Sequence, residues 1–258
     1  MTKVQAIAVI PARFSSTRFP GKPLVKIGDK PMIQHVYERT RKAKGLADVI
    51  VATDDKRIVE AVEHFGGKAC LTSRSHRSGT DRVAEVAQSL EAEVVVNVQG
   101  DEPLLEPSCI EAVIRPFESD PSLPISTLKC PGDSEEEFYN PNIVKVVTDR
   151  NGYALYFSRS PIPFLRYAQN TSESKRPLFF RHIGLYAYRK SFLEQLPKLK
   201  PSVLEKAEAL EQLRFLENGF RIRVVQSDYR AVAVDTPDDV QQVVDFLASP
   251  RVQAHPSD

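Results

Sequence analysis

Short apolar runs alternate with helix-patterned stretches through the first hundred residues, and this alternation restricts the fold more than any other feature. Ala6–Ile10, Val49–Ala52, Ala69–Leu71 and Val94–Val98 have the length and composition of strands. Between the first two, Met32, Ile33, Val36 and Tyr37 recur at helical spacing behind Pro31. Ile58, Val59, Val62 and Phe65 do the same ahead of Gly66-Gly67. Ser78-Gly79-Thr80-Asp81 opens a third helix with Val83, Val86, Ala87 and Leu90 on one face. Proline at a helix start and glycine just past its end are the residues those positions favour. Strands alternating with helices imply βαβ units in a three-layer α/β fold. The β-branched run Val94–Val98 reads as its central, parallel strand.

The pattern changes after about Glu118. Ile125–Lys129, Val144–Thr148, Ala154–Phe157 and Gly184–Tyr188 read as strands with little helix between them, an antiparallel extension. The expected organisation is one domain over 1–258 with an antiparallel lobe inserted at about 120–200. Tyr167–Arg176 is polar and reads as a loop. Leu204–Glu217 reads as one helix, Arg221–Gln226 as a strand and Ala231–Val234 as the last strand. Thr236-Pro237-Asp238-Asp239 supplies an N-cap, a first-turn proline and first-turn acids for a final helix.

Chemistry concentrates at three strand exits. From Met1 to Gly28 the chain has Lys3, Arg13, Arg18, Lys22 and Lys26 and no acid, on a background of 35 basic and 34 acidic residues. Arg13, Arg18 and Lys22 alternate with Ser15, Ser16, Thr17 and Gly21 directly after the first strand. Small residues allow close backbone approach, hydroxyls donate and cations neutralise, which suits a polyphosphate. Neither the P-loop pattern nor the GxGxxG dinucleotide fingerprint occurs. Gln99-Gly100-Asp101-Glu102 ends the central strand where open α/β sheets bind ligands. Carboxylates beside a phosphate loop suit a hard cation, because Mg²⁺ takes one or two carboxylates plus phosphate oxygens. Asp235 follows the last strand, and the residues alone leave open whether it shares that cation with Asp101.

Composition excludes several alternatives. A net charge of +1 argues against bulk attraction to nucleic acid or an anionic membrane. No run approaches the about 18–20 apolar residues of a membrane span. The apolar N-terminal run is short and leads into a charged loop, which does not read as a signal peptide. Three widely spaced cysteines, Cys70, Cys109 and Cys130, form no metal or disulfide pattern and read as free thiols in a reducing, cytoplasmic compartment.

The runs IPARFSSTRFPGKPL (10–24), VATDD (51–55), SGTDRVAEV (78–86), VNVQGDEP (96–103), NPNIVKVV (140–147), GYALYFSRSPIP (152–163), RHIGLYAYR (181–189), LEQLR (210–214) and VDTPDD (234–239) occur in order over nearly the whole length. With them the chain resembles the 3-deoxy-D-manno-octulosonate (Kdo) cytidylyltransferase family. The resemblance implies a Rossmann-like, three-layer nucleotidyltransferase fold and the reaction of CTP with Kdo to CMP-Kdo and pyrophosphate, for lipopolysaccharide biosynthesis. It places Arg13, Ser15 and Lys22 on the triphosphate loop, Gly79, Thr80 and Arg82 near the nucleotide, and Gln99 beside base and ribose. It makes Asp101 and Asp235 the Mg²⁺ ligands, and assigns Arg159, His182, Glu211 and Gln212 to the sugar acid. It also implies a homodimer.

Charge complementarity agrees with this second site. The carboxylate of a sugar acid suits an arginine such as Arg159. Glu208, Glu211 and Gln212 are spaced to share one face of one helix. A solvated helix face and a structural histidine are the competing readings of these residues. Two functional alternatives stay open: a cytidylyltransferase for a related acidic sugar, 8-amino-Kdo or a sialic acid, and a non-catalytic nucleotide-binding module. The sialic-acid branch is disfavoured, because the loop lacks a Gly-Gly-Ser-Lys form.

Overall fold

Strand β1 (Ala6–Ala12) opens the fold in a computed structural model that describes residues 4–15, 19–76, 78–166 and 179–248. A 3₁₀ turn at Lys22–Leu24, the hairpin β2 (Lys26–Ile27) and β3 (Lys30–Pro31), and helix α1 (Met32–Arg41) come next. The βα alternation continues through β4 (Leu46–Thr53), α2 (Lys56–His64), β5 (Ala69–Leu71), α3 (Gly79–Gln88) and β6 (Val94–Asn97). After α4 (Pro107–Ile114) and α5 (Pro116–Ser119) the chain forms β7 (Ile125–Pro131), α6 (Glu135–Tyr139), β8 (Lys145–Thr148), β9 (Ala154–Ser158) and β10 (Phe180–Arg189). It closes with α7 (Lys190–Leu193), α8 (Val203–Glu208), α9 (Gln212–Glu217), β11 (Ile222–Gln226) and α10 (Pro237–Ala248).

The sheet runs β11-β7-β10-β6-β1-β4-β5, with β8 and β9 branching from β10. β1 pairs parallel with β4 and β6, and β4 with β5. β10 is antiparallel to both β6 and β7. The expected central strand is therefore central, but parallel only on its β1 side.

Alternation along the strands sorts the core into two layers, since successive side chains point to opposite faces. Ala6, Ala8, Ile10, Val94, Val96 and Val98 pack with Ile33, Val36, Ile58, Val62, Ile110 and Val113 of α1, α2 and α4. Val9 and Val95 pack with Val83, Val86 and Ala87 of α3 and with Phe192, Leu213 and Phe215. Helices on both faces make the three-layer α/β architecture that the alternation implies. Cys70, Cys109 and Cys130 are free thiols, and among the described residues no helix is long and apolar enough to cross a membrane.

Two sequence expectations change. Leu204–Glu217 is not one helix: it breaks at Ala209, whose φ of 52° is left-handed. The break lets Leu210 and Leu213 enter the core while α8 lies outside it. The α8 carbonyls freed by the break need donors, and Arg159 Nε donates to Glu208 O at 2.8 Å. Ala231–Val234 is irregular and joins no strand ladder; Val234 N–H donates instead to Asp101 O at 2.9 Å. The final helix does start at Pro237, and Thr236 Oγ1 donates to Asp239 Oδ2 rather than capping a helix N–H. The expected loop Tyr167–Arg176 lies outside the described residues.

Candidate active site

Close backbone packing brings the exits of β1 and β6 together. A Cβ on Gly100 would lie 2.8 Å from Pro11 O, and one on Gly79 would lie 3.3 Å from Pro11 Cγ. Glycine at both positions lets the β6 exit and the start of α3 rest on the end of β1. The basic loop doubles back through Gly21, at φ 75°, whose N–H donates to Phe14 O at 2.8 Å. The Phe14 ring lies against Gly21 on one side and receives the Arg57 guanidinium at 3.4 Å from its centroid.

This folding places Lys22 between the two acids. Its Nζ lies 2.7 Å from Asp101 Oδ2 and 3.4 Å from Asp235 Oδ1. The Val234 N–H bond to Asp101 O holds the two acidic segments side by side. The side chains are 15% (Lys22), 30% (Asp101) and 42% (Asp235) exposed, so the group is open to solvent and exchange. Asp101 and Asp235 thus converge on one cation, here an ammonium. The neighbouring Glu102 is different: burial, with the Asp101 charge adding to it, pushes its carboxyl up to about 8. At neutral pH Glu102 is protonated and adds no charge to the pair.

Gln99, two residues before Asp101, lines a cavity of about 230 Å³ with Ser78, Gly79, Thr80, Asn97, Tyr186, Glu211, Gln212 and Phe215. Gln99 is held there because the register of β10 shifts between Ile183 and Tyr186, leaving Gly184 O free to accept from Gln99 Nε2 at 3.1 Å. Thr80 Oγ1 donates to Glu211 Oε2, while burial raises the Glu211 carboxyl above its ordinary range. A larger cavity of about 580 Å³ shares Ser78 and Glu211 with it and extends to Lys206 and Arg214.

The expected site residues therefore divide. Lys22, Asp101 and Asp235 meet at one point, and Gly79, Thr80, Gln99, Glu211 and Gln212 line one cavity. Ser15 is exposed in the loop, and Arg13 Nη2 donates to His76 O at 2.9 Å. Arg82 is fully buried and committed to Asp54, at 3.0 Å, and to Thr72. Arg159 does not line the cavity; its guanidinium donates to the carbonyls of Pro141, Glu208 and Ala209. His182 is half-buried, its ring packed against Phe157 and Tyr186 and bonded to Thr127 Oγ1 at 2.9 Å, and desolvation by that packing pushes its imidazole down, to about 3. Glu208 and Glu211 do not share a helix face, because the Ala209 break sends Glu208 to Ser158 and Glu211 to Thr80. Sequence reasoning missed Asn97, Tyr186 and Phe215: the first two lie inside the runs VNVQGDEP and RHIGLYAYR, but no spacing or chemistry in the sequence singles out any of the three as lining a cavity. It also missed Lys145, fully buried with Nζ donating to the carbonyls of Asn140, Ile143 and Arg159.

A polyphosphate-type loop and a carboxylate pair at the carboxyl edge of a three-layer sheet define a nucleotidyltransferase, and the sequence model described as Cytidylyltransferase matches residues 7–222. The 3-deoxy-manno-octulosonate cytidylyltransferase of Geotalea daltonii is 55% identical over 245 residues, 93% of this chain and 97% of that protein. That of Geobacter sulfurreducens is 54% identical over 93% of this chain and 98% of its own length. A solved CMP:2-keto-3-deoxy-manno-octonic acid synthetase, complexed with CTP, is 44% identical with a TM-score of 0.89, covering 95% of this chain and 98% of that one. The chain belongs to the 3-deoxy-manno-octulosonate cytidylyltransferase family. A 4-diphosphocytidyl-2C-methyl-D-erythritol synthase of Anaerococcus prevotii, 13% identical with a TM-score of 0.64, shares the fold alone.

Proposed function

We propose that the protein joins CTP and Kdo to give CMP-Kdo and pyrophosphate, supplying an activated sugar for lipopolysaccharide biosynthesis. The observation that carries this reading is the convergence of Lys22, Asp101 and Asp235, with Asp101 two residues beyond Gln99 of a polar cavity. Mg²⁺ fits the Asp101–Asp235 pair: both are exposed enough to exchange ligands, both already face one cation, and phosphate oxygens would complete the set. Bound there, Mg²⁺ would supply charge neutralisation at the α-phosphate and orient the reacting groups.

The sugar 2-hydroxyl attacks the α-phosphorus of CTP and releases its proton to water, while the bond from that phosphorus to the α,β-bridging oxygen breaks and the oxygen leaves with pyrophosphate. Arg13 and Lys22 neutralise the phosphates and the pyrophosphate as it leaves. Thr80, Gln99, Glu211 and Gln212 present hydroxyl, amide and carboxyl groups to the substrates, and Tyr186 and Phe215 complete the cavity lining. Orientation in this cavity contributes by holding nucleophile and phosphorus together. Exposed Leu155 and Phe164, on and beside the antiparallel strands, support a homodimer that uses that face. Free thiols support a reducing, cytoplasmic setting.

Pyrophosphate release from CTP and Mg²⁺ with Kdo, 8-amino-Kdo and a sialic acid tests the reading. The highest kcat/KM is expected with Kdo. A higher value with 8-amino-Kdo or a sialic acid would reassign the sugar. CTP binding without release for any sugar would make the protein a nucleotide-binding module.

A further inference from the structure

Helix α3 fastens the loop that precedes it at two points. Arg82 Nη1 donates to Thr72 Oγ1. One oxygen of Glu85, Oε2, accepts from Ser73 N–H at 3.0 Å and from His76 Nε2. Within the turn, Ser75 N–H donates to Ser73 Oγ at 3.1 Å. Residues 73–76 lie in turn and irregular backbone with no strand ladder to hold them, so these side-chain bonds fix the turn. The turn in turn presents the His76 carbonyl to Arg13 Nη2 at 2.9 Å. Arginine has a long, rotamer-rich side chain, and an acceptor at a fixed place reduces the freedom it must lose on binding a ligand.

We infer that Glu85 is a positioning residue for nucleotide binding: it holds the Ser73–His76 turn so that the His76 carbonyl aims the Arg13 guanidinium at the triphosphate. This rests on the assignment of Arg13 to the CTP phosphates. Removing the Glu85 carboxylate leaves the Ser73 N–H and the His76 imidazole without this acceptor and lets the carbonyl move. Glu211 and Gln212, assigned to the sugar, line a cavity that includes neither Glu85 nor the 73–76 turn and is left intact.

The test is calorimetric titration of the full-length protein with CTP and Mg²⁺. Glu85→Ala is expected to weaken CTP binding about tenfold, since small displacements of a positioned group are costly. Glu85→Gln keeps an oxygen that accepts both bonds and is expected to stay within about threefold of the parent. Arg13→Ala weakens CTP binding about tenfold or more, and adding Glu85→Ala to it costs no more than about twofold further, because the two act through one group. The KM for the sugar in Glu85→Ala stays within about twofold of the parent. Where Glu85→Ala folds poorly, His76→Ala removes the same anchor and is expected to show the same non-additivity with Arg13→Ala. Unchanged CTP binding in Glu85→Ala, or losses that multiply in the double variant, would overturn the inference. Unchanged binding in Arg13→Ala would instead overturn the phosphate assignment, and the inference with it.

Discussion

On the β1 side of the site, Arg13, Ser15 and Lys22 come from one continuous stretch of chain. On the β10 side the cavity takes Thr80, Asn97, Gln99, Tyr186 and Gln212 from separate elements spread along the sequence. The two sides also differ in exposure. Asp101 and Asp235 are 30% and 42% exposed, whereas Asn97 and Gln212 are 2% and 6% exposed. The charged groups stay hydrated, since burying them unpaired costs too much. Neutral amides cost far less to bury than charges, and Asn97 Oδ1, buried without a protein partner, is an acceptor suited to a ligand hydroxyl.

Three substitutions break this comparison at different points. Asp101→Asn has the largest expected effect: kcat for pyrophosphate release falls on the order of 10³-fold at saturating Mg²⁺. Folding survives, with the thermal midpoint moving by about 3 °C or less, because the pair with Lys22 is partly exposed. Parent-like turnover would remove Asp101 from the cation site.

Gln212→Leu probes the buried side. It raises the KM for Kdo about tenfold while the KM for CTP moves less than about twofold. Equal effects on both would show that the cavity is not divided from the phosphate loop as described.

His182→Gln separates structure from function. His182 is half-buried against Phe157 and Tyr186, and desolvation lowers its folded pKa to about 3 from an ordinary value of 6.5. Below pH 6.5 the unfolded chain binds a proton that the folded chain refuses, so stability falls as pH drops from 6.5 toward 3. Between pH 7.5 and 5.5 the parent is expected to lose about 1 kcal/mol more than His182→Gln in denaturant titrations. An identical loss in both proteins would place a charged or exposed imidazole at this position.

Contiguous features were legible in the sequence. The βα alternation, the basic loop, the Gly100-Asp101 strand exit and the Pro237 helix start all rest on residues close in the chain, where backbone geometry and local chemistry act. Arg82, Arg159 and the Glu208–Gln212 spacing were harder, because each depends on what lies across the fold. Arg82 faces Asp54 from a buried position, and only the tertiary packing makes that acid its partner. Arg159 becomes a donor to the α8 carbonyls because the helix breaks at Ala209. A non-glycine left-handed residue carries no sequence signature. Asn97, Tyr186 and Phe215 line the cavity because elements far apart in the chain meet there, which the sequence alone does not mark.

The sequence by itself determined the layers of the sheet, the polyphosphate loop and the family. Hydrophobic period and ordered motifs are local properties that survive without coordinates. Only the tertiary structure decided that Asp235 lies with Asp101 on the Lys22 ammonium, that His182 packs against Phe157 and Tyr186, and that Glu85 and Arg13 both bond to His76. Each of these is a meeting of residues far apart in the chain or a consequence of burial, and both depend on how the whole chain packs.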